Sequence, residues 1–459
     1  MSATKSTHTA TAALAALAAA ERVLSHHLTH GARLCVGLSG GVDSVVLLEM
    51  VCTLAPRHGW RLSALHVNHQ LSAQAGAWVR FCRRLCRERA VPLRVVKVTV
   101  PRGNSIEAAA RAARYAAYRA QPAENIVLAQ HQDDQVETVL LQLLRGAGVK
   151  GLAAMPIARV DALRPGLTVL RPLLALTRRE IEAYAAARKL AWVEDDSNQD
   201  AYYLRNFLRL DILPRIAQRA PDYRNTVSRA AAHMAEAAEL LDALAQQDGG
   251  GALMDGALPI TTLPVTTLQP LSAARARNVL RYFLASQQVG MPDARRLAEA
   301  LRQVLTAKAD ARVCVDLGVH QLRRFAGALH VIPAQQALPR GFMRAWRGER
   351  RLAAPELQAT LEMRKRRGAG IDLAKLIAKP VTLRLRGGGE KLQPDAARPR
   401  RAVKDLFQEQ GVPPWQRERL PYLWSGETLV WVAGLGVDCA FAAGAGVPGV
   451  APLWTAGCP

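Results

Sequence analysis

The sequence predicts an α/β fold. A Rossmann-like parallel sheet flanked by helices comes first, then a mostly helical central domain and a small α+β C-terminal domain. Three observations predict this order. From residue 33 to residue 144 short apolar strands alternate with runs of helical periodicity, which implies βαβ units and a parallel sheet covered on both faces. Between about 225 and 325 the spacing is mostly helical. Beyond residue 367 short β-rich stretches surround one helix. The domains read as 1–225, 226–335 and 360–459, in keeping with 459 residues at the usual domain size.

Taken in order, residues 11–28 read as an amphipathic helix. The chain before residue 20 is rich in Ala and Thr, lacks a long Leu/Val run, and is followed at once by Glu21, Arg22 and a His cluster. It is read neither as a signal peptide nor as a membrane span, and no other stretch is long enough to cross a bilayer. Residues 33–37 (RLCVG) read as a buried strand, and 43–54 as a helix beyond a glycine turn. Strands at 63–67, 93–100 and 125–129 are separated by helices at 75–89 and 105–119, and a helix at 133–144 follows. A further helix spans 180–189. The Gly-rich run at 246–258 (QQDGGGALMDGAL) reads as a linker. Helices at 273–284 and 294–305 lie beyond it. Residues 340–367 are dense in Arg without clear periodicity, and strands at VTLRLR and TLVWVAG flank a helix at 402–410.

Charge narrows the class of partner. There are 61 Lys+Arg against 38 Asp+Glu, a formal net charge of +23. Such a surplus suits a polyanion, nucleic acid before an anionic membrane. The 7 Cys are scattered and no pair is spaced CxxC, so they read as structural thiols of a reducing, cytoplasmic protein rather than as a zinc site or a disulfide frame.

The sharpest motif is Ser39-Gly40-Gly41-Val42-Asp43-Ser44, between an apolar strand and the apolar helix VVLLEM. Adjacent glycines allow a tight turn that brings backbone N–H groups close to a ligand. The helix that starts there aims its positive dipole end at the same point. Two hydroxyls add donors, and Asp43 suits Mg²⁺ bridging phosphate oxygens. Such a nest fits the pyrophosphate half of ATP. A Walker loop is absent, because the chain has no GxxxxGK[ST]. The motif resembles the PP-loop of N-type ATP pyrophosphatases, which cleave between the α- and β-phosphates.

Further stretches run in one order along most of the chain: His66-Val67-Asn68-His69; Asn104 to Arg111 with Arg114 and Tyr115; His131 to Thr138 (HQDDQVET); Leu144-Arg145-Gly146; Arg171-Pro172-Leu173-Leu174; Trp192 to Asn198 (WVEDDSN); Leu204-Arg205-Asn206; and Lys404 to Glu409 with Trp415 and Arg417. In this order they resemble the tRNA(Ile)-lysidine synthase family. Two positions depart from it: Gln130 stands where the family shows the first of two adjacent His, leaving the role of His131 open, and Gln70 stands where a Gly is usual.

The resemblance implies a reaction. ATP adenylates the C2 oxygen of the wobble cytidine in a CAU-anticodon isoleucine tRNA, releasing pyrophosphate, and free L-lysine then displaces AMP at C2. The lysine amine, with pKa about 10.4, is only about 0.04% neutral at pH 7; a nearby carboxylate can orient it and take its proton, and the sequence leaves open which group does so. Asp134 and Glu137, three apart on a helix, share a face and by resemblance recognise lysine; acids in a first helical turn also favour the helix dipole. Asp133 reads as a helix-start residue and a second metal candidate. Arg111 and Arg205 read as catalytic anion contacts or as solvated helix surface. Ser39 to Ser44 with His66 are the nucleotide-binding set, and His66 is equally a structural His. The basic stretches 340–367 and 384–401, with Trp346 and Trp415, are candidates for holding tRNA. Competing readings are a PP-loop tRNA thiolase, which the missing CxxC disfavours, a small-molecule synthetase, which the charge disfavours, and a non-catalytic tRNA-binding protein. Oligomeric state is not fixed by the sequence; a homodimer is compatible with it.

Overall fold

The computed structural model describes residues 2–70, 72–99, 106–194, 204–254, 261–308, 311–339 and 341–456. The chain divides into two compact units, Met1–Leu244 and Ala245–Pro459. Among the described residues no helix is long and apolar enough to cross a membrane.

The first unit runs α1 (Ser2–His27), β1 (Arg33–Gly37), α2 (Val42–His58), β2 (Arg61–Asn68), α3 (Ala75–Glu88), β3 (Leu93–Lys97), α4 (Ile106–Arg119), β4 (Asn125–Val127), α5 (Gln132–Leu144) and α6 (Val149–Leu152). It continues with β5 (Ala158–Val160), β6 (Thr168–Leu170), α7 (Arg178–Ala187), α8 (Leu204–Phe207), a π-helical turn at Leu208–Ile212, α9 (Leu213–Arg219) and α10 (Tyr223–Gly249). The sheet order is β3-β2-β1-β4-β6-β5. All pairings are parallel except β5 with β6. The Rossmann-like parallel sheet expected from the sequence is therefore present, with an antiparallel edge strand added.

Period-2 alternation sorts its side chains to two faces. Leu34, Val36, Val127 and Leu170 join the core formed with α1, α2 and α7, which includes Leu24, Leu47, Leu54, Ile181 and Tyr184. Cys35, Ile126, Leu128 and Val169 face the other way, onto Tyr115, Ala117 and Tyr118 of α4. Strand order reverses between β1 and β4, since β2 and β3 lie to one side and β6 and β5 to the other. Loops after β1 and β4 thus flank the crevice where open α/β sheets bind ligands.

In the second unit, helices Ala273–Ser286 and Ala294–Thr306 share a core with a four-stranded antiparallel sheet through Leu263, Leu280, Phe283, Leu301 and Leu329. The helical middle carries more strand than its periodicity suggests. The Gly-rich run is not an open linker where it is described: α10 continues to Gly249 and a turn of helix spans Gly251–Met254. Ala245 and Leu253 are buried in that core, which fixes the segment despite its glycines; residues 255–258 of that run lie outside the described residues. The C-terminal part builds a five-stranded and a four-stranded antiparallel sheet. The Arg-dense stretch without periodicity is itself strand, at Met343–Trp346, Arg351–Ala354 and Ala359–Arg367. Its last strand pairs along its length with Pro448–Ala456, and Arg364 to Arg367 are exposed on both sides, so no inside-outside alternation marks it.

Candidate active site

The loop after β1 is shaped by its own hydroxyl groups. Ser44 Oγ accepts hydrogen bonds from the N–H groups of Ser39 (3.2 Å) and Gly40 (3.1 Å) and from the Ser39 hydroxyl (3.0 Å), and donates to the Gly41 carbonyl (2.9 Å). The Gly41 N–H donates to Ser39 Oγ at 3.3 Å. These hydroxyls and amides, expected as ligand donors, are used within the loop. The donors left for an anion are the N–H groups of Val42, Asp43 and Ser44, because the first turn of a helix has no intrahelical partner for them. Gly40 has φ +99°, and a Cβ there would lie 2.9 Å from Val193 Cγ2. The Val193 N–H donates to the Gly40 carbonyl at 3.0 Å, so the segment before residue 195 straps the loop. Asp195 to Asn198 of the expected motif, like Asn104 and Ser105, lie outside the described residues.

The loop after β4 supplies the acidic group. His131 is buried, with Nε2 3.8 Å from Asp43 Oδ1 and 3.5 Å from Asp134 Oδ2, and Nδ1 3.7 Å from Asp133 Oδ2. Burial opposes its charge, but the three carboxylates outweigh burial and raise its pKa. His131 is thus at the centre of the cluster, while Gln130 stands beside it in sequence.

Asp43 Oδ2 accepts from Arg178 Nη1 at 2.8 Å. Its Oδ1 is buried without a hydrogen-bond partner. Burial raises the Asp43 pKa, with Asp134 adding to it, against the pull of His131 and Arg178. Arg178 reaches this point because it is the first residue of α7, fixed by a capping box: the Glu180 N–H donates to Thr177 Oγ1 (3.2 Å) and the Thr177 N–H to Glu180 Oε2 (2.7 Å).

Asp133 is differently occupied. Its Oδ2 accepts from the Arg178 N–H (2.9 Å) and its Oδ1 from Arg224 Nε (2.5 Å). Burial would raise its pKa, but His131, Arg178 and Arg224 hold it far below the usual carboxylate range. It ties α5, α7 and α10 together, and both of its oxygens are taken by protein donors.

Asp134 and Glu137 share one face of α5, as their spacing requires. That face is filled by two guanidinium groups. Glu137, fully buried, accepts from Arg205 Nε (2.7 Å), Arg209 Nε (2.6 Å) and Arg209 Nη2 (2.9 Å). Asp134 Oδ1 accepts from Arg205 Nη2 (3.1 Å) and Arg209 Nη2 (3.5 Å). For both arginines burial lowers the pKa, and the two carboxylates outweigh it and raise it. The sequence does not single out Arg178, Arg209 or Arg224. The i, i+4 spacing of Arg205 and Arg209 is the signal that points to the second of them.

Other expected residues lie elsewhere. His66 is buried at the end of β2, with Nδ1 donating to the Leu38 carbonyl at 2.9 Å, and burial lowers its pKa. Arg111 sits 5.0 Å over the Tyr115 ring. Gln70 keeps the glycine-like backbone of its position, at φ 57°. Trp346 and Trp415 are core residues: the Trp346 indole donates to the Glu349 carbonyl, and Trp415 packs edge-on against His330 and Phe325.

Metal and thiol chemistry can be tested against these groups. Among the described residues no cluster of three His, Cys, Asp or Glu side chains is set to hold a metal ion. Mg²⁺ needs less, since one or two carboxylates and substrate phosphates complete its shell. The orphaned Oδ1 of Asp43 at the helix start fits that need. Burial pushes the thiols of Cys35, Cys52 and Cys86 up to about 11 and that of Cys82 to about 12, opposite to what a reactive thiolate requires.

Most of the chain resembles known proteins. A PP-loop domain family matches residues 11–216, the TilS substrate binding domain matches 263–330, and the TilS substrate C-terminal domain matches 381–454. The tRNA(Ile)-lysidine synthase of Nitrosomonas europaea is 44% identical over 429 residues, 92% of each chain. That of Chromobacterium violaceum is 43% identical over 424 residues, 91% of this chain and 94% of its own. That of Coxiella burnetii is 39% identical, over 89% of this chain and 90% of its own.

Proposed function

Because the chain belongs to the tRNA(Ile)-lysidine synthase family of ATP-using PP-loop enzymes, we propose that it joins free L-lysine to C2 of the wobble cytidine in a CAU-anticodon isoleucine tRNA, through an adenylated tRNA. The observation that carries this reading is the meeting of two loops at the switch point. Asp43 at the start of α2 lies 3.8 Å from His131, which lies 3.5 Å from Asp134 of α5. A phosphate seat and an acidic seat are thus adjacent, as two consecutive displacements on one base require.

In the first step the N–H groups at the start of α2 hold the nucleotide phosphates. The cytosine C2 oxygen attacks the α-phosphorus, its bond to the β-phosphate oxygen breaks, and pyrophosphate leaves. Arg178 supplies a cation beside the leaving group. Asp43 would hold Mg²⁺ through its free oxygen; when bound, the ion spreads phosphate charge as a Lewis acid. In the second step the lysine ε-nitrogen attacks C2, the C2–O bond breaks, and AMP leaves. Asp134 orients the lysine ammonium and accepts its proton. Glu137 acts from behind, holding Arg205 and Arg209 against Asp134. His131 lies between the three carboxylates, which favour its charged form. Asp133 and His66 position the two loops, and Arg111 belongs to the RNA side. The target cytosine must leave its stack to reach this point.

The test is incubation of the full chain with ATP, Mg²⁺, labelled lysine and tRNA transcripts, beside an ATP–pyrophosphate exchange assay. Label enters the CAU-anticodon isoleucine transcript alone, and Asp43→Asn lowers exchange by about 100-fold or more. Exchange without lysine entering the tRNA would reject the lysine reading.

A further inference from the structure

The carboxyl edge of the first unit's sheet carries a second cationic group that the two-step reaction does not use. It is built around Tyr115 of α4. The Arg111 and Arg159 guanidinium carbons lie 5.0 and 5.2 Å from the Tyr115 ring centre. Arg171 Nη2 donates to the Tyr115 hydroxyl at 3.4 Å, and Nη1 to the Pro156 carbonyl at 2.7 Å. Arg171 is only 2% exposed, and its Nε is buried without a partner. One helical turn away, Arg114 Nη2 lies 3.4 Å from His69 Nε2. Arg111, Arg114 and Arg159 are exposed and Arg171 is interior; among the residues whose side chains are described no carboxylate pairs with Arg171, whereas the part-buried Arg205 and Arg209 pair with Asp134 and Glu137.

A buried guanidinium without a counter-ion is costly, and the fork geometry of Arg suits phosphate oxygens. We infer that Arg111, Arg159 and Arg171, gathered on Tyr115, form a seat for backbone phosphates of the RNA strand that carries the target base. Position decides between RNA and nucleotide. Arg171 directly follows β6 and Arg159 lies in β5, the edge strand, whereas the PP-loop follows β1. At roughly 4.8 Å per strand, β5 stands about 14 Å from β1. A triphosphate held at the start of α2 is bonded there; a polynucleotide extends past it on both sides of the reacting base. Burial lowers the Arg171 pKa, Tyr115 opposes that, and the neighbouring Arg159 and Arg111 charges lower it further.

This inference rests on tRNA being the substrate, and the test separates the two. The full chain, Arg159→Gln, and Arg111→Gln/Arg159→Gln are titrated with the tRNA transcript at several salt concentrations, and separately with ATP. Arg159 is exposed, so its replacement leaves the fold intact. Removing the partner of one phosphate reduces the slope of log affinity against log salt by about 0.7. The single variant therefore binds tRNA several-fold more weakly with a slope shallower by about that amount, the double variant falls further, and ATP affinity is unchanged. Equal slopes in all three proteins overturn the inference. Weakened ATP binding with an unchanged tRNA slope overturns it too, and assigns the seat to the nucleotide. A parent chain that does not bind tRNA at all removes the functional reading along with it.

Discussion

Replacing Glu137 with Gln keeps its shape and removes its charge, which isolates what the buried carboxylate does. Both oxygens are engaged, by Arg205 Nε at 2.7 Å and by Arg209 at 2.6 and 2.9 Å. Breaking a buried ion pair by removing one partner costs about 3–5 kcal/mol. Arg205 and Arg209 side chains are 27% and 36% exposed, so the freed guanidiniums regain some hydration. The expected loss is then about 2–3 kcal/mol, within a total of about 5–15 kcal/mol, and the chain stays folded. Because the chain has two units, a single unfolding midpoint would mix them, and hydrogen exchange of the α5 amides is the suitable readout. Arg209→Gln in the same background should show a coupling of about 1–3 kcal/mol. The two chemical steps should separate: pyrophosphate exchange stays within about 10-fold of the parent, while lysine transfer falls by about 100-fold as Asp134 loses its braced neighbours. An unchanged α5 stability, or equal loss of both steps, would refute the brace.

Other expectations follow from single interactions. Ser44→Ala removes the acceptor of the Ser39 and Gly40 N–H groups and should cost about 1–3 kcal/mol with weaker ATP binding; binding as tight as the parent's in calorimetry contradicts the clip. Gly40→Ala adds a Cβ 2.9 Å from Val193 at φ +99°, so it should destabilise by about 1–2 kcal/mol and raise proteolysis near residue 193; an unaffected digestion pattern argues against the strap. The His131 cluster gives a pH signature. His131 has a raised pKa, so its contribution is complete below about 6.5 and is lost as pH rises through its folded value. Asp133 has a lowered pKa, so its contribution is complete above about 3.9 and is lost as pH falls through its folded value. Asp43, raised by burial, works against stability as it ionises. His131→Gln should abolish the alkaline loss seen in the parent, and parallel stability curves for the two proteins above pH 6.5 would contradict this.

The first unit is legible in sequence because its signals are local. Apolar runs such as RLCVG and a glycine turn before VVLLEM need no tertiary information, and β1 and α2 appear where periodicity puts them. β5 and β6 are three residues each, too short to show a period. The C-terminal strand Ala359–Arg367 is hidden for a different reason. Its pairing with Pro448–Ala456 joins residues far apart in sequence, and four consecutive exposed basic residues erase the alternation. The run at 246–258 reads as a linker because its glycines are visible in sequence, whereas the burial of Leu253 and of the adjoining Ala245 is not.

The candidate site divides along the same line. Residue types fixed by one loop or one helix face, Ser39 to Ser44 and the Asp134–Glu137 pair, can be named from spacing. What spacing cannot give is who occupies whom. Ser44 reads as a ligand donor and is a clip; Glu137 reads as a lysine contact and holds two arginines; Asp133 reads as a metal candidate and ties three helices. Each of these contacts comes from a partner 45 to 91 residues away, except those of Ser44, whose partners lie in its own turn. The two arginine groups differ in the same respect. Arg205 and Arg209 are cations with assigned carboxylates, so their charge is neutralised inside the fold. Arg111, Arg159 and Arg171 gather on one tyrosine, and Arg171, the buried one, has no carboxylate partner among the residues whose side chains are described. Burying Arg171 without a carboxylate is costly, and an anion arriving from outside would offset that cost, as the RNA phosphates proposed above would in a chain of net charge +23.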